Sequence, residues 1–182
     1  MTPEISVVTD PSFTSELDAR PLDELRVMRS RCQELENSLS YVRRMIQGRF
    51  DIIGGELQRR RDGGGAGDTG ELIGRLPDIL AEGSRTSGDP ASVRPPSSLE
   101  PDTAVIAQLE ARLDGVISAE QLGNVTAMGD EAIVDAMAAM KDLEDEVSSN
   151  RRTMHGVIDA VQAEVIRRYS SGEATVDGLL PS

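Results

Sequence analysis

Residues 35–60 read LENSLSYVRRMIQGRFDIIGGELQRR, and residues 143–168 repeat them in diverged form as LEDEVSSNRRTMHGVIDAVQAEVIRR. At this offset of 108 positions, 10 of 26 residues are identical, and seven of the ten are charged. Because a repeated hydrophobic core would keep its apolar positions first, a repeat that keeps its polar residues indicates a binding surface. Two copies of that surface favour a ligand with two-fold symmetry.

The composition of the chain predicts an all-α fold. The 182 residues include no Trp, two Tyr and two Phe, which are too few large side chains for an ordinary globular core. Helices rich in Leu, Met, Val and Ala pack well without large aromatic residues. We therefore expect a coiled coil or a helical hairpin.

The charge of the chain is unevenly distributed. Residues 25–62 hold nine Arg against five Asp or Glu, which gives this segment a net charge of +4. Because the whole chain has a net charge of −13, the residues outside this segment sum to −17. An acidic body argues against nucleic acid as the main partner and favours a basic protein partner.

Two further absences narrow the class of protein. Cys32 is the only cysteine, which excludes an internal disulfide and a thiolate metal cluster. No apolar run approaches the ~18 residues of a membrane span, and no signal peptide opens the chain. We expect a cytoplasmic protein that does not contact the membrane.

Two segments, residues 21–61 and 128–171, carry apolar residues at alternating spacings of three and four, which is typical of a coiled coil. Pro21 suits the first turn of the first helix, and Arg49 interrupts its apolar seam. The first seam comprises Leu25, Met28, Cys32, Leu35, Leu39, Val42, Ile46 and Ile53. The second comprises Ile133, Ala136, Met140, Leu143, Val147, Asn150, Met154, Val157 and Val161.

The other segments are predicted to be less ordered or shorter. Residues 1–20 read as a flexible arm, 62–102 as a largely disordered linker, 103–127 as short amphipathic accessory helices and 172–182 as a flexible tail. Such a linker is long enough to join parallel or antiparallel helices. We predict an antiparallel hairpin, because the repeat then places its two copies around an approximate two-fold axis.

The polar positions of the repeat form one spaced motif twice. Steps of four, three, four and four residues place five side chains on one stripe of a helix. Each stripe lies beside the apolar seam, so it flanks the groove between the paired helices. The ten positions are Glu36, Ser40, Arg43, Gln47 and Asp51 in the first copy and Glu144, Ser148, Arg151, His155 and Asp159 in the second.

These residue types suit a guanine nucleotide. An arginine donates two hydrogen bonds to guanine O6 and N7, or to a phosphate, and a carboxylate accepts from guanine N1–H and N2–H. Gly48 and Gly156 occupy the same place in the two copies. Since glycine inside a helix costs ~1 kcal/mol relative to alanine, we expect a ligand or the facing helix to approach closely there.

The tandem E-x3-S-x2-R-x3-Q-x3-D motifs resemble those of the RsiG family, the cyclic-di-GMP-dependent anti-sigma factors of sporulating actinobacteria. Nine of the ten positions hold the family residue, and His155 stands where the pattern has Gln. The resemblance covers the two long helices. It implies that an antiparallel coiled coil binds two cyclic-di-GMP molecules as a dimer through the ten motif residues. It also implies that the loaded protein regulates transcription by sequestering a WhiG-like sigma factor from RNA polymerase.

Four arginines next to the groove would balance the phosphates of such a ligand: Arg43, Arg44, Arg151 and Arg152. Without nucleotide, we expect these arginines to repel one another and to leave the hairpin loose.

Simpler interpretations stand beside this one. The alternative function is a structural or adaptor coiled coil that binds a partner through its apolar seam and needs no nucleotide. His155 and Asp159 have metal-ligand spacing, but the counterpart Gln47 is a poor ligand, so we expect no metal. The pairs Arg59-Arg60 and Arg167-Arg168 read as cations that complement helix C-termini. No nucleophile–base set and no phosphate-binding loop is present in the sequence, so we expect no enzyme.

Overall fold

The computed structural model describes residues 2–63 and 100–173, and every regular element in them is helical. The helices are α1 (Pro3–Thr9), α2 (Leu22–Arg61), α3 (Thr103–Val116), α4 (Ala119–Gly123) and α5 (Asp130–Ser171). Short 3-10 turns lie at Pro11–Thr14, Leu17–Ala19 and Val125–Ala127. The predicted all-α fold class is confirmed.

The two long helices, α2 and α5, pack against each other in antiparallel directions. Arg60, at the end of α2, pairs with Asp130, at the start of α5. At the other end of the hairpin, Arg26 of α2 donates to the hydroxyl of Tyr169 of α5. The predicted antiparallel hairpin is therefore confirmed.

The apolar seam of this hairpin is buried between its two helices. On α2, Leu35, Leu39 and Ile46 are fully buried, and they belong to the same core as Met140 and Met154 of α5. Seam residues of two helices that bury each other in this way are the main source of stability in a coiled coil.

The ends of the long helices follow local signals. Pro21 immediately precedes α2, and Asp23 in its first turn complements the positive end of the helix dipole. Asp130 and Glu131 do the same for α5. That helix ends at Gly172, whose φ of 78° places it in the left-handed region that terminates many helices.

The N-terminal segment differs from the flexible arm that the sequence predicts for residues 1–20. Residues 3–9 form α1, which packs on α5 and buries Ile5 and Val8. Two apolar residues three positions apart are too weak a pattern to indicate a helix in a sequence. The helix is stabilised because α5 covers those two side chains.

The repeat extends well beyond the residues that identify it in the sequence. A shift of 108 positions carries the 3-10 turn Leu17–Ala19 onto the turn Val125–Ala127. The same shift relates Asp10 to Ser118, and each of these side chains accepts from a backbone N–H of the turn or helix that it precedes. Residues 3–61 and 111–169 are thus two copies of one helical unit, related by an approximate two-fold axis.

Helix α3 covers the side of α2 that lies away from the motif. Arg31 pairs with Asp102 at 2.7 Å, and the Ser38 hydroxyl accepts from the backbone N–H of Asp102 at 2.8 Å. Arg49, the residue that interrupts the seam, pairs with Asp114 and donates to the carbonyl of Ile117. Arg31 and Ser38 flank the seam on the side opposite to the motif stripe. We call the other groove, which is flanked by the ten motif residues, the motif groove.

No helix within residues 2–63 and 100–173 combines the length and apolarity that crossing a membrane requires. The predictions for the linker over 64–99 and for the tail over 174–182 lie outside the described residues.

Candidate functional site

Arg43 of α2 reaches across the motif groove to α5. Its Nε donates to Glu144 Oε1 and to Ser148 Oγ, both at 2.9 Å. Ser148 Oγ in turn donates to Glu144 Oε1 at 2.7 Å. The three residues form a closed triangle that joins the two long helices.

Arg151 of α5 makes the equivalent contact in the opposite direction. Its Nε lies 3.3 Å from Glu36 Oε1, and Ser40 Oγ donates to the same oxygen at 2.8 Å. His155 Nε2 lies 2.9 Å from that oxygen as well. Because a carboxylate only accepts, this hydrogen bond requires the tautomer, or the cation, that carries a proton on Nε2.

The two contacts are related by the approximate two-fold axis of the hairpin. Arg43 pairs with Glu144, and their repeat counterparts Arg151 and Glu36 pair with each other. Each copy of the motif therefore supplies the carboxylate that holds the arginine of the other copy. The sequence predicts that both stripes flank one groove, but only the fold could reveal this crosswise pairing.

The pairing contradicts the expected repulsion between groove arginines. Arg43 and Arg151 each lie beside a carboxylate of the facing helix, so these contacts attract the helices to each other. The side chains of Arg43 and Glu144 are 24% and 26% exposed. Solvent therefore screens part of the attraction between their charges. These two ion pairs join α2 and α5 at the motif.

The arginine–glutamate pairs leave hydrogen-bonding groups unused. Arg43 and Arg151 use only Nε, so neither pair of terminal nitrogens has a protein partner within the described residues. Glu144 Oε2 is likewise without a hydrogen-bond partner there. A guanidinium held by its Nε is oriented, and its two terminal nitrogens remain available to a planar or anionic ligand.

The remaining motif residues lie beyond these contacts, Gln47 and Asp51 towards one end of the hairpin and Asp159 towards the other. Gln47 and Asp51 are half-buried on α2 and have no side-chain partner among the residues described. Burial raises the pKa of the Asp51 carboxyl above its usual range. Asp159 is exposed on the corresponding turn of α5. The structure therefore joins seven of the ten predicted residues in two networks that link α2 with α5, and the side chains of Gln47 and Asp51 take no part in them.

Gly48 and Gly156 have no close neighbour. A Cβ built on either glycine would meet nothing within 4 Å. The expectation that the facing helix approaches these glycines is therefore wrong, and only the expectation of a ligand remains.

The last part of the repeat has a structural role that the sequence analysis missed. Glu56 is fully buried and holds both Arg59 and Arg60, and the hydrogen bond from Arg59 is the main reason why its pKa is lowered. Arg60 Nη2 then donates to the carbonyls of Val125, Thr126 and Met128, which form the turn that leads into α5.

Arg168 repeats this arrangement at the other end of the hairpin. Its Nε donates to Glu164 Oε1 at 2.7 Å, and its Nη2 donates to the carbonyls of Leu17 and Asp18, in the turn that leads into α2. These residues are the exact repeat counterparts, 108 positions apart, of those around Arg60. The two arginines are thus not simple dipole cations, because each fixes the turn that precedes the facing helix. The pattern E-x2-R-R occurs at the end of both long helices, at 56–60 and 164–168. This repetition was the feature of the sequence that could have predicted the role.

No group of three or more His, Cys, Asp or Glu side chains within the described ranges is placed to hold a metal ion. His155 instead contacts Glu36 of the facing helix.

Comparison with known proteins agrees with this geometry. A family model described as RsiG-like matches residues 11–80 and 119–182. The chain belongs to the RsiG-like family. The two matched ranges begin 108 residues apart, the same offset that relates the two halves of the hairpin. Membership of this family suggests an anti-sigma factor, and hence a regulatory protein with a sigma factor as its general partner. No curated protein and no solved structure matches the chain.

Proposed function

We propose that this RsiG-like chain is an anti-sigma factor that binds a cyclic-di-GMP dimer in the motif groove. When loaded, it sequesters a WhiG-like sigma factor from RNA polymerase and so represses the sporulation genes that this factor serves. The observation that carries the proposal is the crosswise contact of Arg43 with Glu144 and of Arg151 with Glu36. A site with two equivalent halves suits a ligand that is itself a two-fold dimer.

The unused groups of the site match the edges of guanine. The terminal nitrogens of Arg43 and Arg151 are donors, and guanine O6 and N7 are acceptors at a spacing that suits a guanidinium. Glu144 Oε2 is an acceptor, and guanine N1–H and N2–H are donors. Binding of this kind keeps the arginine–glutamate pairs intact and adds the ligand to them.

The local charge also suits an anionic ligand. Two cyclic-di-GMP molecules carry four phosphate charges, and the repeat supplies four arginines at corresponding places, Arg43-Arg44 and Arg151-Arg152. Two of them, Arg44 and Arg152, are exposed. In a chain with a net charge of −13, such a concentration of arginine beside one groove is a preferred position for phosphate.

The adaptor that binds a partner through its seam is less well supported. The seam residues are buried between α2 and α5, with Leu39, Val42 and Ile46 fully covered. A partner that entered the seam would first have to separate the helices and expose this core. A sigma factor that contacts the outer faces of the loaded hairpin meets no such cost.

The nucleotide would act by linking both helices. A ligand dimer that contacts both motif copies favours the hairpin geometry in which the copies face each other. A sigma factor that recognises this geometry must then bind more tightly with nucleotide, and by linkage the nucleotide must bind more tightly with sigma.

Two measurements test the proposal. Titration calorimetry should give two cyclic-di-GMP molecules per chain, and saturation at one molecule, or no heat, contradicts the dimer site. The affinity for a WhiG-like sigma factor, measured without and with saturating cyclic-di-GMP, should rise with nucleotide. Equal affinities would reject gating even if both ligands bind.

A further inference from the structure

The two crosswise pairs correspond in position, but the carboxylate of the first motif copy is fully used within the protein. Glu36 Oε1 accepts from Ser40 Oγ at 2.8 Å and lies 2.9 Å from His155 Nε2. Arg151 Nε lies 3.3 Å from the same oxygen. Gln33 Nε2 donates to the other oxygen, Oε2, at 3.4 Å. Both oxygens of Glu36 therefore already have donors.

The carboxylate of the second motif copy keeps one oxygen unused. Glu144 Oε1 accepts from Arg43 Nε and Ser148 Oγ, whereas Oε2 has no hydrogen-bond partner in the part of the chain that the structure describes. The side chain of Glu144 is 26% exposed, compared with 11% for Glu36. An unpaired carboxylate oxygen on a partly exposed side chain is available to a donor of the ligand.

Two positions at which the repeat has diverged explain this difference. Where the first half has Gln33, the second has Lys141, which donates to Asp145 of its own helix at 2.9 Å. Where one half has His155, the other has Gln47, whose side chain has no partner among the described residues. Neither replacement reaches the carboxylate of its half, so one half of the site is closed and the other remains open.

The unused oxygen of Glu144 suits one donor of guanine in particular. Guanine carries N1–H and its 2-amino group on the same edge, and the 2-amino group lies at the outer end of that edge. Glu144 Oε1 already accepts two hydrogen bonds, which occupy its lone pairs. A guanine on this carboxylate therefore finds an available acceptor only at Oε2.

We propose that Glu144 Oε2 accepts a hydrogen bond from the 2-amino group of one guanine, whereas Glu36 contacts no base and positions Arg151. This inference rests on the proposed function and gives the carboxylates of the two motif copies different roles. Glu144 determines specificity for guanine, and Glu36 is a positioning residue.

The inosine analogue cyclic-di-IMP tests the proposal on the full chain. Its hypoxanthine bases lack the 2-amino group but keep O6 and N7, the acceptors that suit an arginine. In calorimetric titrations, the wild type should bind cyclic-di-GMP at least about tenfold more tightly than cyclic-di-IMP, because the analogue leaves a charged acceptor without its donor.

Glu144→Gln and Glu36→Gln form a matched pair of variants. In Glu144→Gln, Arg43 Nε retains the amide oxygen, so an NH2 donor replaces the acceptor at Oε2. The affinities of this variant for the two ligands should differ by no more than about twofold. Glu36→Gln should weaken both ligands by the same factor, because Arg151 is held less firmly, and should keep the preference for cyclic-di-GMP.

Thermal unfolding without nucleotide gives a second readout, in which the two variants should rank in the opposite order. Glu36→Gln should lower the unfolding temperature more than Glu144→Gln, because Glu36 is more deeply buried and holds more donors. Equal decreases, or a larger decrease for Glu144→Gln, would overturn the positioning role of Glu36.

The outcomes separate this inference from the proposed function. If the wild type binds both ligands equally, if Glu144→Gln keeps the preference, or if Glu36→Gln abolishes it, the inference is overturned and the proposed function stands. Should Glu36→Gln fail to fold, the ratio of affinities of Glu144→Gln decides. Failure of the wild type to bind either ligand overturns the proposed function as well.

Discussion

Replacement of Arg43 by alanine should weaken nucleotide binding far more than it weakens the fold. In the free chain, Arg43→Ala removes one bifurcated contact, from Nε to Glu144 and Ser148. Both members of the ion pair are about a quarter exposed. A buried charged hydrogen bond contributes about 1.5–3 kcal/mol and an exposed pair about 0–1 kcal/mol. We therefore expect a loss of about 1 kcal/mol, or about 2–4 °C in Tm.

The effect on the ligand should be larger, because the terminal nitrogens of Arg43 are the groups left for it. Loss of their charge-assisted hydrogen bonds should cost about 1.5–3 kcal/mol of binding, a decrease of about 10–150-fold in affinity. Arg43→Lys keeps the charge but has no planar fork, so it should recover the salt dependence without recovering the affinity.

The assay combines urea unfolding, followed by circular dichroism, with calorimetric titration of cyclic-di-GMP. Arg29→Ala serves as the control for removal of an exposed arginine from the same helix. If Arg43→Ala binds with wild-type affinity, Arg43 only joins the two helices through Glu144 and Ser148 and does not contact the ligand. The assignment of guanine recognition to the crosswise pairs would then be refuted.

Three other predictions concern the ends of the hairpin, the histidine and acid stability. Arg60→Ala should lower the free energy of unfolding, measured by urea titration, by about 2–4 kcal/mol. The reason is that three backbone carbonyls lose their hydrogen-bond donor. Arg61→Ala, which removes an exposed neighbour, should change this free energy little. His155→Gln should preserve cyclic-di-GMP binding near pH 7, and elemental analysis of the wild type should find no metal. Arg112 lowers the pKa of Glu146 to about 2, so the stability from this pair is present above about pH 4.5 and is lost as the pH falls towards 2. Acid titration of Glu146→Gln should show a shallower loss in that window, and an unchanged profile would contradict the pairing.

Most of the fold was predictable because its signals are local or periodic. The seam through Leu35, Leu39 and Ile46 reports a helix and its buried face with no knowledge of the partner. The N-terminal helix α1 was not predictable, because Ile5 and Val8 form a helix face only where α5 covers them. The sequence pattern marks Arg49 only as an interruption of the apolar seam. In the fold, Arg49 forms an ion pair with Asp114 of α3.

The candidate site was predictable as a set of residues but not as a network. Repetition of charged residues at fixed spacing singled out the ten positions, because a helix places such positions on one stripe. Which carboxylate faces which arginine depends on how the helices align across the seam. That alignment also decides that Gln47 and Asp51 take no part in the contacts between the helices. Glu36 Oε1, in contrast, is contacted by Ser40, Arg151 and His155.

The sequence by itself determined the helical class, the two long helices, the duplicated motif and the family that this motif resembles. These follow from period, spacing and identity along one chain. Only the tertiary structure decided that Arg43 pairs with Glu144. It also decided that Arg60 and Arg168 donate hydrogen bonds to the backbone carbonyls of the turns that precede the facing helices. Such contacts join residues that are 65 to 151 positions apart. Their partners are chosen by the packing of two helices against each other, which spacing along one helix does not encode.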